Sequence, residues 1–267
     1  MTKKNQISST SPIGVFDSGL GGLSIWKEIN QLLPNENTIY LADSKNAPYG
    51  EKSKQEIIDF SIKNTEYLLS KGCKMIVVAC NTATTNAIKV LRANYDIPFI
   101  GIEPAIKPAA LQSKTNKIGV LATKGTLSSE LFISTSEQYR DSKDIIEVEG
   151  KGLVVLIEAG KLEQTKPLLE QYLQPLVNEG VDHIVLGCSH YPFLIPIIKT
   201  IIPANIKLID SGEAVAKQTK SILEQHHLLN NFKNSNHLFY TNKDLTLFKN
   251  FLKQIDIKSE SVFFEEF

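Results

Sequence analysis

The chain has 267 residues, 42% of them hydrophobic, which is enough to fill real cores and leaves room for two domains of ordinary size. Lys and Arg number 29 and Asp and Glu number 29, so the formal net charge is zero and no electrostatic footprint points to nucleic acid or an anionic membrane. The start, Met1 to Ser11, is polar with Lys3 and Lys4 and has no apolar signal core behind it, and no apolar run is long enough to span a bilayer, so the expectation is a soluble, cytoplasmic protein.

Short β-branched runs alternate with amphipathic stretches. Ile13-Gly-Val-Phe16 reads as a strand, followed by a turn at Gly19–Gly22 and a helix through Ile25, Trp26, Ile29 and Leu32 that Pro34 ends. Thr38–Leu41 is the next strand, and Asn46-Ala-Pro-Tyr-Gly50 a rigid loop beyond it. Ser53-Lys-Gln-Glu56 is a capping box that opens a long helix to about Ser70. Met75–Ala79 is a strand with a helix just after it. Strand–helix alternation of this kind predicts parallel α/β sheets covered on both faces.

An internal repeat adds to this. Lys71-Gly-Cys-Lys-Met-Ile-Val-Val-Ala-Cys-Asn-Thr82 aligns with Glu179-Gly-Val-Asp-His-Ile-Val-Leu-Gly-Cys-Ser-His190 at an offset of 108 residues. Pro12-Ile-Gly-Val-Phe16 aligns with Lys117-Ile-Gly-Val-Leu121 at 105, and Ile97–Gly101 with Ile206–Asp210 at 109. Three matches in the same order predict a duplicated α/β unit; the bland alternative is chance, because such short aliphatic patterns are common. Sites in open parallel sheets form beyond the carboxyl ends of strands. Both repeated strands end in a cysteine, Cys80 and Cys188, so two facing units would place two thiols on opposite sides of one cleft. That is the arrangement a two-base proton transfer requires.

Three cysteines, Cys73, Cys80 and Cys188, do not make a disulfide framework, and without a C-x-x-C or H-x-x-x-H pair no metal site is expected. Cys80 and Cys188 each sit at a strand end before an expected helix, where backbone N–H groups and the helix dipole should lower a thiol's pKa; the alternative is a buried core cysteine. Cys73 has no such context and reads as structural. Asn81, Thr82 and Ser189 are small polar neighbours able to hydrogen-bond a charged ligand. His190, two residues after Cys188, is either a base or charge partner for that thiol or a capping or core histidine. The remaining histidines, His183, His226, His227 and His237, form no constellation. Phe16-Asp-Ser-Gly-Leu-Gly-Gly22 fails both the dinucleotide fingerprint and the P-loop pattern. Asp17 there either faces the cleft, toward an ammonium group or a thiol, or caps the next helix. Backbone N–H groups around Tyr49 and Gly50 suit a carboxylate, although an ordinary Pro–Gly turn reads the same way. Glu158, in Leu156-Ile-Glu-Ala-Gly160, is either the polar edge of a helix or an acid reaching the cleft from the second unit.

At these residues the sequence resembles the glutamate racemases of the aspartate/glutamate racemase superfamily. The carrying motifs are V-F-D-S-G-L-G-G-L-S, L-A-D-S-K-N-A-P-Y-G-E-K-S, A-C-N-T-A-T, P-F-I-G-I-E-P-A and L-G-C-S-H-Y-P, which run from about residue 13 to residue 213. The resemblance implies two similar parallel-sheet α/β domains related by internal pseudo-symmetry, with the active site in the cleft between them. Residues 1–103 plus 211–267 would form the first domain, carrying Cys80, and 104–210 the second, carrying Cys188. It further implies that Cys80 and Cys188 are the acid/base thiols, assisted by Asp17, Glu158 and His190. Asp17, Ser18, Tyr49, Gly50, Asn81, Thr82, Ser189 and His190 would contact the amino acid. No cofactor is implied; the substrate would be glutamate, the assembly a homodimer, and the product D-glutamate for bacterial peptidoglycan. One departure is Ser189, where the family usually has threonine. The alternatives are a racemase of aspartate or a related acid, a Cys188–His190 hydrolase in which Cys80 is dispensable, and a two-domain small-molecule binding protein.

Overall fold

The computed structural model describes residues 7–258 and 261–267; Lys3 and Lys4 lie outside the described residues. The first unit runs β1 (Ile13–Asp17), α1 (Leu23–Leu32), β2 (Thr38–Ala42), α2 (Lys54–Ser70), β3 (Met75–Val78), α3 (Asn81–Asn94) and β4 (Phe99–Gly101). The second runs α4 (Ile106–Gln112), β5 (Lys117–Ala122), α5 (Lys124–Leu127), α6 (Glu130–Arg140), β6 (Asp144–Glu149), α7 (Leu153–Glu158), α8 (Lys166–Asn178), β7 (His183–Gly187), α9 (Ile195–Ile198) and β8 (Lys207–Ile209). The chain then adds α10 (Gly212–Gln225), β9 (His237–Thr241), α11 (Leu245–Gln254) and β10 (Val262–Phe264). The capping box forms as expected: Ser53 accepts from the Glu56 amide, and Glu56 reaches back to Ser53.

All strands pair in parallel, in two sheets ordered β10-β9-β2-β1-β3-β4 and β6-β5-β7-β8. Helices cover the inner strands on both faces, so β1, β3 and β7 are buried throughout and their sequences are nearly continuous apolar runs. Among the described residues no helix is long and apolar enough to cross a membrane.

The repeat is real in three dimensions. The order β2-β1-β3-β4 is reproduced by β6-β5-β7-β8. Ile13 pairs with Met75, and their equivalents Ile118 and His183 pair in turn; Ile76 pairs with Phe99, and Ile184 with Leu208. Chance similarity of short aliphatic runs does not duplicate register. Packing repeats as well. A Cβ on Gly14 would fall 3.0 Å from Leu68, and one on Gly119 would fall 2.8 Å from Leu176, so these glycines let α2 lie directly on β1 and α8 directly on β5. Gly72 (φ 79°) and Gly180 (φ 74°) end those helices in the left-handed conformation that favours glycine.

Candidate active site

The carboxyl ends of β1, β3, β5 and β7 converge on one small cavity. Ser18, Pro48, Tyr49, Gly50, Cys80, Asn81 and Thr82 line it from the first sheet; Thr123, Val154, Cys188, Ser189 and His190 line it from the second. Its volume is about 10 Å³, room for about one water molecule. Both thiols are buried against it. The repeat therefore brings the two cysteines to one cavity, each carried by the end of a repeat-equivalent strand.

The two thiols differ in setting. Cys80 is the N-cap of α3, and its sulfur accepts from the Ala83 amide at 3.4 Å and lies 3.6 Å from the Ser18 hydroxyl. The expected lowering of its pKa is overturned. Burial, followed by the charge of Asp17, pushes the Cys80 thiol well above its ordinary range, and the Ala83 and Ser18 bonds offset only part of this. Cys188 does not precede a long helix. A short 3₁₀ turn (Tyr191–Leu194) and the one-turn α9 follow it, in a stretch with prolines at 192 and 196. In place of a helix terminus it has a histidine, with His190 Nδ1 3.7 Å from its sulfur.

His190 is the hinge of a polar relay. Its Nε2 lies 2.6 Å from Glu158 Oε1, which also accepts from the Leu20 amide at 2.5 Å, while Glu158 Oε2 accepts from Ser44 Oγ at 3.1 Å. Burial pulls the imidazole pKa down, but the bonds to Cys188 and Glu158 outweigh it and hold His190 well above its ordinary value. The Gly21 amide also points at Nε2, at 3.2 Å, and the buried His190 heads the 3₁₀ turn that follows it. The glycine turn makes room for this group: a Cβ on Gly21 would fall 2.2 Å from His190 Nδ1, and one on Gly19 2.2 Å from Glu158 Oε1.

Asp17 and Glu158 do not line the cavity; they stand behind it. Asp17 accepts from the Gly19 amide and from the Ser189 hydroxyl, both at 2.9 Å, so it caps the glycine turn rather than α1, whose N-cap is Gly22. Burial raises its carboxyl pKa. Tyr49 lines the cavity, but its hydroxyl is tied to Asp43 and Asn64. Both amide atoms of Asn81 are buried without a partner among the described residues, which is costly unless a ligand supplies one. Thr82 is bonded to Thr123 at 2.9 Å.

Thr123 was missed in the sequence, although the repeat pointed to it: it stands 105 residues after Ser18, at the equivalent strand end. Val154 and Pro48 carried no comparable signal. Cys73 packs in a core cluster, burial pushes its thiol up to about 12, and its repeat equivalent is Val181, all as expected of a structural cysteine. His183 bonds Asp182, His237 bonds Thr38, and His226 and His227 are exposed, away from the cavity.

Comparison with known proteins agrees with this geometry. The sequence model for Asp/Glu/hydantoin racemases matches residues 13–219. A glutamate racemase of Ectopseudomonas mendocina is 48% identical over 224 residues, covering 83% of this chain and 85% of that protein. The crystal structure of glutamate racemase isoform RacE1 from Bacillus anthracis superposes with a TM-score of 0.88 at 31% identity, covering 97% of this chain and 98% of that one. The glutamate racemase of Francisella tularensis, solved with D-glutamate, superposes at 0.82 with 28% identity over 97% of this chain and 98% of its own. With paired sheets, mirrored thiols and this similarity along nearly the whole length, the chain belongs to the Asp/Glu/hydantoin racemase family, among its glutamate racemases.

Proposed function

We propose that this protein interconverts L- and D-glutamate by moving the α-proton between Cys80 and Cys188 without a cofactor. One observation carries the proposal: two repeat-related thiols line the same cavity from opposite sheets. The Cα–H of an amino acid is a very weak acid, so the site must hold a positioned base on one face, an acid on the other, and donors for the carbanion. Cys80, kept protonated by burial, is placed to deliver a proton. His190 faces the Cys188 sulfur at 3.7 Å, within reach of its proton, and Glu158 fixes the ring. The roles reverse with the handedness of the substrate. Asn81, with an unpaired donor and acceptor, and the hydroxyls of Ser18, Thr82, Thr123 and Ser189 would bind the α-carboxylate and ammonium groups. The Tyr49–Gly50 backbone would bind the side-chain carboxylate. Asp17 would act through Ser189, which keeps the hydroxyl of the family's usual threonine. A relative solved with D-glutamate supports that substrate.

The same reading takes residues 1–103 with 211–267 as one domain and 104–210 as the other. It makes the protein a cytoplasmic homodimer that supplies D-glutamate for peptidoglycan.

The test is isotopic. Each enantiomer of glutamate is run in heavy water to low conversion, with no cofactor added. The first-formed product should carry deuterium at Cα while recovered substrate stays protiated, in both directions, because each thiol exchanges with solvent before it donates. Substantial protium in the product from either direction contradicts two opposed acid/base groups.

A further inference from the structure

Residues beyond 219 lie outside the stretch that the family model matches, yet one side chain from that segment is tied to the loop that lines the cavity. Asn242 lies just past the carboxyl end of β9, on the far side of β2 from β1, and is buried. Its Nδ2 donates to Asp43 Oδ1 at 2.5 Å, and its Oδ1 accepts from the Lys45 amide at 2.9 Å. Asp43 is also buried, and it accepts from the Tyr49 hydroxyl at 2.5 Å and from the Asn46 side chain at 2.9 Å. Asn64 of α2 completes the cluster with a 3.1 Å bond to the Tyr49 hydroxyl.

The segment held this way is the one that faces the cavity. It contains Tyr49 and Gly50, which line it, and Ser44, which fixes Glu158. Asn242 bonds both the carboxylate that gathers the loop and the loop's own backbone two residues later. We infer that Asn242 is a positioning residue for the racemase site, through which the C-terminal segment holds the 43–50 loop in its substrate-binding shape; this rests on the reading of the cavity as the glutamate site. An amide suits this place because it is donor and acceptor at once. Alanine would orphan the Lys45 amide and remove one of Asp43's donors. Aspartate would keep the acceptor but set two carboxylates against each other.

Two measurements on the full-length protein test this. In steady-state kinetics, Asn242→Ala should raise KM for both enantiomers by about ten-fold while kcat stays within about three-fold, the cost of losing one buried hydrogen-bonded contact to a binding element. Asn242→Asp should lose at least as much, and Asp43→Asn combined with Asn242→Asp, which exchanges donor and acceptor, should recover part of the loss. In hydrogen–deuterium exchange without substrate, the Lys45 amide should exchange faster in Asn242→Ala than in wild type. A KM within two-fold of wild type with unchanged exchange at Lys45 overturns the inference. If Asn242→Ala does not fold, the partial rescue by the exchanged pair decides it, and no rescue counts against it. A wild-type protein that does not racemise glutamate would overturn the functional reading instead, and the exchange measurement would then settle Asn242 alone.

Discussion

Cys80, Cys188 and Cys73 are the same residue in three chemical settings. Cys80 caps a 14-residue helix beside Asp17, Cys188 faces the His190 imidazole, and Cys73 is closed in among hydrophobic side chains. Cys80→Ala and Cys188→Ala should each lower kcat by at least about a thousand-fold, because a lost general acid or base has no substitute across the cavity. Circular dichroism should show the fold intact, and full turnover in either variant would refute the two-thiol reading. Cys73→Val, which copies its repeat equivalent Val181, should leave kcat at the wild-type value. The paired thiols were legible in the sequence because each ends an aliphatic run and the two runs match. The raised pKa of Cys80 was not legible, because it depends on burial and on Asp17, which is remote in sequence.

At the scale of elements, the duplicated unit keeps its geometry while changing its chemistry. Lys74 and Asp182 occupy equivalent positions just before β3 and β7. Lys74 is fully buried; it donates to Glu36 at 2.6 Å, to the Leu228 carbonyl at 2.8 Å, and to the Ser9 carbonyl ahead of β1. Asp182 accepts from Ser113 at 2.8 Å and from the amides of Lys114 and Thr115, ahead of β5. Each charge therefore ties down the segment entering the first strand of its unit, with opposite sign. Lys74→Ala leaves Glu36 buried without its cation and should cost about 3–5 kcal/mol in urea unfolding. Lys74→Met with Glu36→Leu should recover most of that. Because Lys74 is at the opposite end of β3 from Cys80, the double variant should keep wild-type kcat; a drop in kcat without a drop in stability would contradict this division of labour.

Across the whole molecule, the two sheets are joined at the active site itself. The Leu20 amide and Ser44 hydroxyl of the first unit hold Glu158 of the second, Ser24 donates to the Ser189 carbonyl at 2.8 Å, and Asp17 accepts from Ser189. His190 completes the latch through Glu158 at 2.6 Å. Its pKa is raised in the folded protein from the ordinary 6.5, so the stability it contributes is fully present below that value and is lost as pH rises through the elevated one. The difference in unfolding midpoint between wild type and His190→Gln should therefore shrink as pH is raised from about 6 to about 10. A difference that stays constant or grows would mean that the imidazole is neutral in the folded state.

The amino-acid sequence by itself determined the two parallel sheets, the repeat and the pair of thiols. These are written in local patterns: aliphatic runs, capping residues, left-handed glycines, and motifs at strand ends that a parallel sheet always brings to one edge. Tertiary structure decided which polar groups meet. It set Asp17 and Glu158 behind the cavity rather than in it, and raised rather than lowered the Cys80 pKa. It also brought Thr123 to Thr82 and Asn242 to Asp43. Those contacts span 41 to 199 residues of sequence. Their energies come from desolvation and from hydrogen bonds between segments remote in sequence, so no local pattern in the chain encodes them.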